Sequence, residues 1–285
     1  MINSNIINNR QNQDLCLKIQ YAARKYFNAA EKINYLSWGF CILAALMFFI
    51  PDSTAKFITI GFPVLLEIAT FVTTFIFNYK LKNAAKLRNY FDSYVLMIKE
   101  DEYSTSEKQR LKELAFNIYQ NNQTEAQIII HNTGHDNPPG VHDWYEFKSN
   151  IEGLNSQYEC QRQNIWWNKK MVKNRLICSP LIIILLLVLF ILMFVFLKPD
   201  IWNVIACFLG VVIKIIERII EHYKYHVISI KIETIHEHIE NQLTTDNIEK
   251  LQNLINKRRS IPVLEINLAH KKRANKYSDS YEQIS

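Results

Sequence analysis

The most informative pattern in the sequence is a long apolar run in its second half. Leu176 to Leu197 contains no charged residue. A helix of about 20 such residues crosses the ~30 Å hydrocarbon core of a bilayer, because each residue adds about 1.5 Å. After Lys-Pro-Asp comes a second apolar segment, Ile201 to Ile216, interrupted by Asn203 and Lys214. Because so short a connection must return the chain at once, the pattern predicts a membrane-spanning helical hairpin.

The first half repeats this design. Tyr35 to Ile50 is apolar, PDSTAK follows, and Phe57 to Tyr79 carries no charge except Glu67. Both connections contain Pro-Asp, in which proline cannot continue a helix and aspartate can cap the next one. The sequence therefore predicts an all-α integral membrane protein with two transmembrane helical hairpins, four spans in total. Their helices extend into the cytosol and join a mostly helical cytosolic region.

The distribution of basic residues predicts the orientation. Of the 33 Lys and Arg, Lys56 and Lys198 alone lie in the tight turns. Lys214 lies inside the fourth span, and we expect its amine to extend to the cytosolic surface. The excess of positive charge on one side predicts that both termini and the middle region of a multi-pass membrane protein are cytosolic.

These patterns divide the chain into five parts. The predicted parts are a cytosolic N-terminal helix (1–33), transmembrane hairpin 1 (34–79), a cytosolic stalk and sensing region (80–175), transmembrane hairpin 2 (176–220) and cytosolic C-terminal helices (221–285).

Apolar seams predict how the helices outside the membrane pack. Ser104 and Glu107 form a capping box for a helix that follows, and Asp246 is placed to cap a later one. We expect the helices after the second and fourth spans to pack on each other or on neighbouring copies through two seams. These seams are Ala84, Leu87, Phe91, Tyr94 and Ile98, and Ile216, Ile220, Tyr223, Val227, Ile230 and Thr234.

Composition and motifs argue against an enzyme. With 6 glycines and 7 prolines the chain has few helix breakers, and it has no phosphate-binding loop, dinucleotide fingerprint or nucleophile elbow. The five cysteines form no C-x-x-C pair. His222 and His226 share a helix face, but we interpret them as solvated surface residues, so no metal site is predicted.

Two features permit more than one interpretation. Glu67 lies near the middle of its span, where it either lines a water path or is a neutral, hydrogen-bonded acid inside a static bundle. Trp166 and Trp167 precede the third span within a basic stretch that contains no acid from Cys160 to Arg175. Such a stretch either holds the span at anionic headgroups or belongs to a cytosolic anion site.

Four short motifs spread along the chain resemble those of the SMODS-associated four-transmembrane effectors. The motif before the third span is the most specific, although Asn168 and Glu146 replace an acid and a proline common in the family. The motifs are Ile7-x-x-Arg10-Gln11-Asn12, His142-Asp143-Trp144-Tyr145, Cys160-Gln161-Arg162-Gln163-Asn164-x-x-Trp167 and Lys257-Arg258-Arg259-x-x-Pro262.

The resemblance implies an effector of bacterial antiphage signalling based on cyclic oligonucleotides. Such an effector binds a cyclic di- or trinucleotide made by a neighbouring nucleotidyltransferase. It then disrupts the inner membrane as a homo-oligomer, without a cofactor and without binding DNA or RNA. Side chains suited to stack on bases, pair with phosphates or read a base edge lie in these motifs. The predicted ligand residues are Asp143, Trp144, Tyr145, Arg162, Asn164, Trp167, Arg258 and Arg259, and Glu67 is the predicted pore or gating residue.

Two other functions fit the same pattern. One is a constitutive small ion channel or carrier built on the two-hairpin repeat, with Glu67 as its ion site. The other is a membrane scaffold whose extended helices dock a partner.

Overall fold

A computed structural model describes residues 2–50, 60–197 and 201–262, which form helices joined by short turns and, between α5 and α6, by a longer irregular segment, residues 132–153. This confirms the all-helical prediction. The two Pro-Asp turns and Lys56 and Lys198 lie outside the described residues. The described α-helices are α1 (Ser4–Gln11), α2 (Asp14–Met47), α3 (Phe62–Leu96), α4 (Thr105–Gln120), α5 (Gln123–His131), α6 (Leu154–Leu197), α7 (Ile201–Asn241) and α8 (Thr245–Arg259), with a 3-10 turn at Glu100–Glu102.

Among the described residues, one helix is long and apolar enough to cross a bilayer by length and composition. This helix is α3, and a shorter apolar helical stretch covers Pro180–Leu192 of α6. The prediction of four spans is therefore supported directly for one helix.

The chain folds as two compact units. Unit 1 consists of residues 1–28, 81–172 and 225–285, and unit 2 of residues 29–80 and 173–224. The described surface of unit 2 is strongly apolar, since Phe71, Phe75, Leu181 and Trp202 are exposed. An apolar exterior of this kind is what a lipid environment requires.

The core of unit 1 is built around the first part of α2 and the second part of α3. The seam predicted on α3 is confirmed, because Ala84, Leu87, Phe91 and Ile98 are buried in this core. Tyr94 packs against it and is partly buried. These residues recur at helical spacing, so one face of α3 is removed from solvent.

The seam predicted on α7 is largely exposed within a single chain, and its packing on neighbouring copies stays a prediction. Ile220, Tyr223 and Ile230 are exposed. The buried face instead carries Ile232 and Ile239, which pack against α8. Helix α7 is rich in isoleucine on more than one side, so its periodicity alone does not select the face that α8 covers.

The predicted helix caps are confirmed in one case and shifted in the other. The Ser104 hydroxyl accepts the Glu107 N–H at 3.2 Å, as the capping box requires. At α8 the cap is Thr244, whose hydroxyl accepts the Asn247 N–H at 3.3 Å. Asp246 is instead within the first turn of α8, where a carboxylate complements the positive end of the helix.

Candidate functional site

The centre of unit 1 contains a buried carboxylate, Asp92 of α3, which has no solvent exposure. Its Oδ1 accepts the Tyr145 hydroxyl at 2.7 Å. Its Oδ2 lies 2.7 Å from Arg259 Nη2 and accepts a hydrogen bond from Gln252 Nε2 at 3.1 Å. Asn164 Nδ2 adds a longer contact of 3.4 Å. A carboxylate this deep is stable only because several donors and a cation replace its hydration.

Tyr145 joins the predicted motifs at this centre. Its hydroxyl donates to Asp92 and accepts Asn164 Nδ2 at 2.7 Å. Its ring stacks on Phe91, with 6.2 Å between the centroids. Burial, reinforced by the charge of Asp92, raises the pKa of Tyr145 well above its ordinary value. The phenol therefore stays protonated and acts as a permanent donor.

The segment that carries Tyr145 is held by the motif at the start of the chain. Gln11 Oε1 accepts the Tyr145 N–H at 2.8 Å, and Gln11 Nε2 donates to the Tyr145 carbonyl at 2.9 Å. Asn12 Nδ2 donates to Asp143 Oδ1 at 2.6 Å, and Asn12 Oδ1 accepts the Asp143 N–H at 3.1 Å. Asp143 also lies 2.9 Å from His142 Nδ1 and adopts a φ of 49°. Its role in the structure is to fix this turn.

The motif before the third predicted span also holds neighbouring segments in place through hydrogen bonds. Gln161 Nε2 donates to the Ile248 carbonyl at 2.9 Å and to Gln252 Oε1 at 3.0 Å, which ties α6 to α8. Gln163 exchanges two hydrogen bonds with the backbone of Glu146, at 2.6 and 3.2 Å. Together with Asn164, these glutamines connect α6 to the Trp144–Tyr145 segment.

An arginine that the sequence reasoning missed lies beside this network. Arg88, one turn before Asp92 on α3, places its guanidinium 3.9 Å from the centroid of the Trp144 ring. Its Nη1 is buried and has no hydrogen-bond partner among the described residues. Burial, followed by repulsion from Arg259, lowers the pKa of Arg88 to about 10. Arg24 adds a weaker repulsion to Arg88.

Two further arginines extend the positive character of this region. Arg24 donates to the Pro139 carbonyl at 2.5 Å, and burial lowers its pKa. Arg258 is buried, its Nε has no hydrogen-bond partner in the described structure, and burial lowers its pKa to about 10. The neighbouring Tyr225 opposes this change and raises the pKa of Arg258 in part. The Tyr225 hydroxyl donates a hydrogen bond to Asn168.

We call the set Arg24, Arg88, Arg258 and Arg259 the arginine cluster. Asp92 pairs with Arg259, and its charge also acts on Arg88, so two cations and one carboxylate meet there even before Arg24 is counted. Cations held close together and away from water favour an added anion. The face of Trp144 is a stacking surface at the same place, and 37% of that residue is exposed.

Arg162 and Trp167, also predicted as ligand residues, have other neighbours. Arg162 forms a bidentate pair with Glu159, at 2.9 and 3.0 Å. The Trp167 ring packs edge-to-face against Trp166, with 5.3 Å between the centroids. Lys170 lies 5.5 Å from the centroid of the Trp166 ring. A basic and aromatic patch therefore occurs on α6.

A small cavity of about 180 Å³ borders the network through Gln252 and Asn256. Its wall includes Glu102, Glu107 and Lys99; Glu102 pairs with Lys99 and Glu107 with Lys86, so the wall has no excess of positive charge. The arginine cluster, rather than this cavity, has the charge that an anionic ligand requires.

In unit 2, Glu67 faces α7 at Gly210. A Cβ at position 210 would lie 1.9 Å from Glu67 Oε2, so a larger residue there would displace the Glu67 carboxyl group. Glu67 Oε1 is buried without a hydrogen-bond partner among the described residues.

Lys214 is 4% exposed and donates to Thr74 Oγ1 at 2.7 Å. The expectation that its amine extends to the surface is wrong, because a hydroxyl inside unit 2 accepts it.

The sequence around Asp92 already contains a signal for a buried polar network. An acid in the middle of an apolar seam, one turn after an arginine, indicates a buried polar network. Gln11 could be found only as part of the first motif, and Arg24 had no comparable signal.

The described residues are helical, include one helix long and apolar enough to cross a membrane, and enclose an arginine-rich polar centre that is a candidate anion site. The model of one protein family, described as the SMODS-associating 4TM effector domain, matches residues 5–283. The chain belongs to this family, as the four motifs predicted. Neither the curated proteins nor the solved structures compared with the chain contain a match.

Proposed function

We propose that this protein is a membrane effector of antiphage defence that binds a cyclic di- or trinucleotide at the arginine cluster of unit 1. On binding, it disrupts the inner membrane and causes abortive infection. Membership of a SMODS-associating effector family supports the signalling partner, a nucleotidyltransferase that makes the nucleotide.

The observation that carries the proposal is the pair formed by Arg88 and Trp144. A cyclic nucleotide offers phosphates to guanidinium groups and flat bases to aromatic rings. Arg88 has a buried Nη1 without a hydrogen-bond partner in the described structure, and its guanidinium lies against the Trp144 ring. A phosphate near Arg88 would stabilise its charged form, whose pKa burial has lowered. Arg259 and Arg24 would supply further positive charge.

The remaining predicted ligand residues take supporting roles in this proposal. Tyr145 and Asn164 hold Asp92, and Asp92 holds Arg259 towards the site. A ligand that attracts Arg259 would compete with Asp92 for it. Such competition is a direct way for binding to loosen the packing of α3 against α8. We propose that Arg162 and Trp167 act on the ligand only indirectly, through the position of α6. Arg258, the buried member of the arginine cluster, would add positive charge to the site without contacting the ligand.

We propose further that unit 2 lies in the bilayer as four spans with both termini in the cytosol. Its apolar described surface and the family description support this arrangement. Assembly into a homo-oligomer would then enlarge the effect of each ligand-bound chain on the membrane.

The test is a thermal-shift screen of the purified full-length protein in detergent. The probes are cyclic di-AMP, cyclic di-GMP, cyclic GMP–AMP and cyclic tri-AMP. A nucleotide that binds the folded state raises the unfolding midpoint by mass action, and we expect one of these to do so. Arg88→Ala should abolish the shift, whereas Arg110→Ala, an exposed arginine on α4, should retain it. Absence of any shift, or an equal shift in both variants, would contradict the proposed site.

A further inference from the structure

The cavity of about 180 Å³ in unit 1 is bordered by the end of α3, the 3-10 turn, the start of α4 and α8. It holds several times the ~30 Å³ that one water molecule occupies in the liquid, so it has room for a small flat group. Glu102 in its wall is exposed, so the cavity reaches the protein surface. Further wall residues with polar side chains are Tyr103, Glu107, Gln252, Asn253 and Asn256.

Two wall residues connect the cavity with the arginine cluster. Asn256 Oδ1 accepts hydrogen bonds from Gln252 Nε2 at 3.0 Å and from Arg259 Nη1 at 3.5 Å. Gln252 Nε2 also donates to Asp92 Oδ2 at 3.1 Å, the oxygen that pairs with Arg259. Arg88 lies one turn, about 6 Å, along α3 from Asp92. The cavity is therefore one side chain away from Arg259, and a single ligand can reach both.

Several polar groups of the wall residues have no hydrogen-bond partner among the described residues. They are the Tyr103 hydroxyl, the Asn253 amide and Asn256 Nδ2. Burial, reinforced by the charge of Glu107, raises the pKa of Tyr103 to about 12, so its hydroxyl stays protonated and can donate. The charges of Asp92 and Arg259 also act on this hydroxyl. Donors and acceptors of this kind suit a ligand that forms several hydrogen bonds.

The wall also carries two carboxylates, each with a lysine partner. Glu102 Oε1 pairs with Lys99 at 2.6 Å, and Glu107 Oε1 pairs with Lys86 at 3.4 Å. The second carboxylate oxygen of Glu107 has no hydrogen-bond partner among the described residues. Such a wall does not attract a phosphate, but a carboxylate that can accept further hydrogen bonds favours a neutral group with N–H donors.

A nucleobase is a flat, neutral group of this kind, and a carboxylate distinguishes between the two purines. Guanine presents two adjacent donors, its ring N1–H and its amino group, which match the two oxygens of one carboxylate. The same edge of adenine presents one donor beside an unprotonated ring nitrogen, whose lone pair a carboxylate repels. A carboxylate at the position of Glu107 therefore favours guanine over adenine.

We propose that this cavity binds a guanine base of the cyclic nucleotide, with Glu107 accepting from the ring N1–H and the amino group and Arg259 pairing with the adjacent phosphate. The inference rests on the proposed function, because the nucleotide is the ligand whose phosphates the arginine cluster binds. It adds α4 and the 3-10 turn to the ligand site. It also restricts the ligand to cyclic nucleotides that contain guanine.

The test measures Kd values from the thermal shift of the purified full-length protein in detergent, over a concentration series of each of the four cyclic nucleotides named above. For the wild type, cyclic di-GMP or cyclic GMP–AMP should have a Kd at least about tenfold lower than cyclic di-AMP and cyclic tri-AMP. Glu107→Gln keeps the shape of the side chain but replaces one acceptor oxygen by an N–H donor, which matches adenine better. The variant should bind the guanine nucleotide about ten- to hundredfold more weakly and lose the preference.

Glu113→Gln is the matched control. It makes the same chemical change at an exposed position of α4 that is not part of the cavity wall, so all four Kd values should stay as in the wild type. Glu107 is itself partly exposed and its contact with Lys86 is long, so Glu107→Gln should fold. The ratio of Kd values between guanine and adenine nucleotides is a readout that a change in stability alone does not move.

The outcomes separate this inference from the proposed function. If none of the four nucleotides raises the unfolding midpoint of the wild type, the proposed function fails and the inference fails with it. If a nucleotide binds, but cyclic di-AMP or cyclic tri-AMP binds as tightly as the guanine nucleotides, the guanine site is wrong. It is equally wrong if Glu107→Gln keeps the wild-type preference. In both of these cases the proposed nucleotide effector stands.

Discussion

The Asp92 carboxylate accepts hydrogen bonds or ion-pair contacts from Tyr145, Asn164, Gln252 and Arg259. These partners come from the loop before α6, from α6 itself and from α8. A single side chain therefore joins three parts of unit 1 to α3. Removing it would leave the Arg259 guanidinium, itself largely buried, without its carboxylate.

Asp92→Ala should destabilise the protein by about 3–5 kcal/mol, the cost of leaving one member of a buried ion pair unpaired. Tyr145→Phe removes one donor and leaves the others, so its cost should be about 1 kcal/mol. The check is the free energy of unfolding in denaturant. Asp101→Ala, at an exposed acid, is the control and should stay within about 0.5 kcal/mol of the wild type. Equal stability of the Asp92 and Asp101 variants would show that the network does not hold the helices together.

Stability should also fall at alkaline pH. Burial raises the pKa of the Cys160 thiol well above its ordinary value and raises the pKa of the Cys16 thiol to about 12. In the unfolded chain these thiols ionise near pH 9, whereas in the folded protein they stay protonated. Their contribution is therefore complete below pH 9 and is lost as the pH rises towards the folded-state values, by about 1.4 kcal/mol per pH unit for each thiol.

The measurement is the unfolding midpoint between pH 8 and pH 11 for the wild type and for Cys160→Ala. The variant should show a shallower decline, because one of the two thiols no longer ionises on unfolding. A decline of equal slope in both proteins would contradict a buried, protonated Cys160.

At the scale of helices, α7 shows how burial distinguishes residues of the same type. Ile232 is 1% exposed and packs with Leu251 and Ile255 of α8, whereas Ile230 is 48% exposed. The two isoleucines lie two positions apart, so they point to opposite sides of the helix.

Ile232→Ala should therefore destabilise unit 1 by about 2–4 kcal/mol, because it removes buried methyl groups and leaves a cavity. Ile230→Ala should change the free energy of unfolding by no more than about 0.5 kcal/mol. Denaturant unfolding of the two variants side by side checks this. If Ile230→Ala destabilised the protein more than Ile232→Ala, the buried face of α7 would be the one that the periodicity predicts.

The same helices show what the sequence could predict. The α3 seam and the buried residues of α8 follow from spacing, because one face of each is covered over several turns. The capping box at Ser104 follows from local chemistry. The buried face of α7 and the cap of α8 depend on which helix packs there, and spacing does not determine this. Likewise, Tyr145 and Arg259 were found through motifs, whereas Arg88 becomes visible only when Trp144 is placed against it.

At the scale of the whole molecule, polar chemistry is concentrated differently in the two units. Unit 1 contains the arginine cluster and the Asp92 network, and unit 2 combines an apolar described surface with polar side chains in its interior. This division fits an effector in which one part binds a ligand and the other alters the membrane.

The orientation of the chain has a direct test. Reporter fusions at residue 140 and at either terminus should read as cytosolic, and fusions at residues 53 and 199 as external, because basic residues are concentrated on one side. Activity of a periplasmic reporter at residue 140 would place the arginine cluster away from a cytosolic nucleotide and would overturn the proposed function.

The most direct test of nucleotide-gated membrane disruption is made in cells that co-express the protein with its proposed partner, a nucleotidyltransferase that makes a cyclic di- or trinucleotide. Membrane potential and growth are followed with the active synthase and with a synthase whose catalytic carboxylates are replaced. We predict depolarisation and growth arrest with the active synthase alone, lost in Arg88→Ala and retained in Arg110→Ala. Arrest with the inactive synthase, or undiminished arrest in Arg88→Ala, would contradict gating by a nucleotide at the arginine cluster.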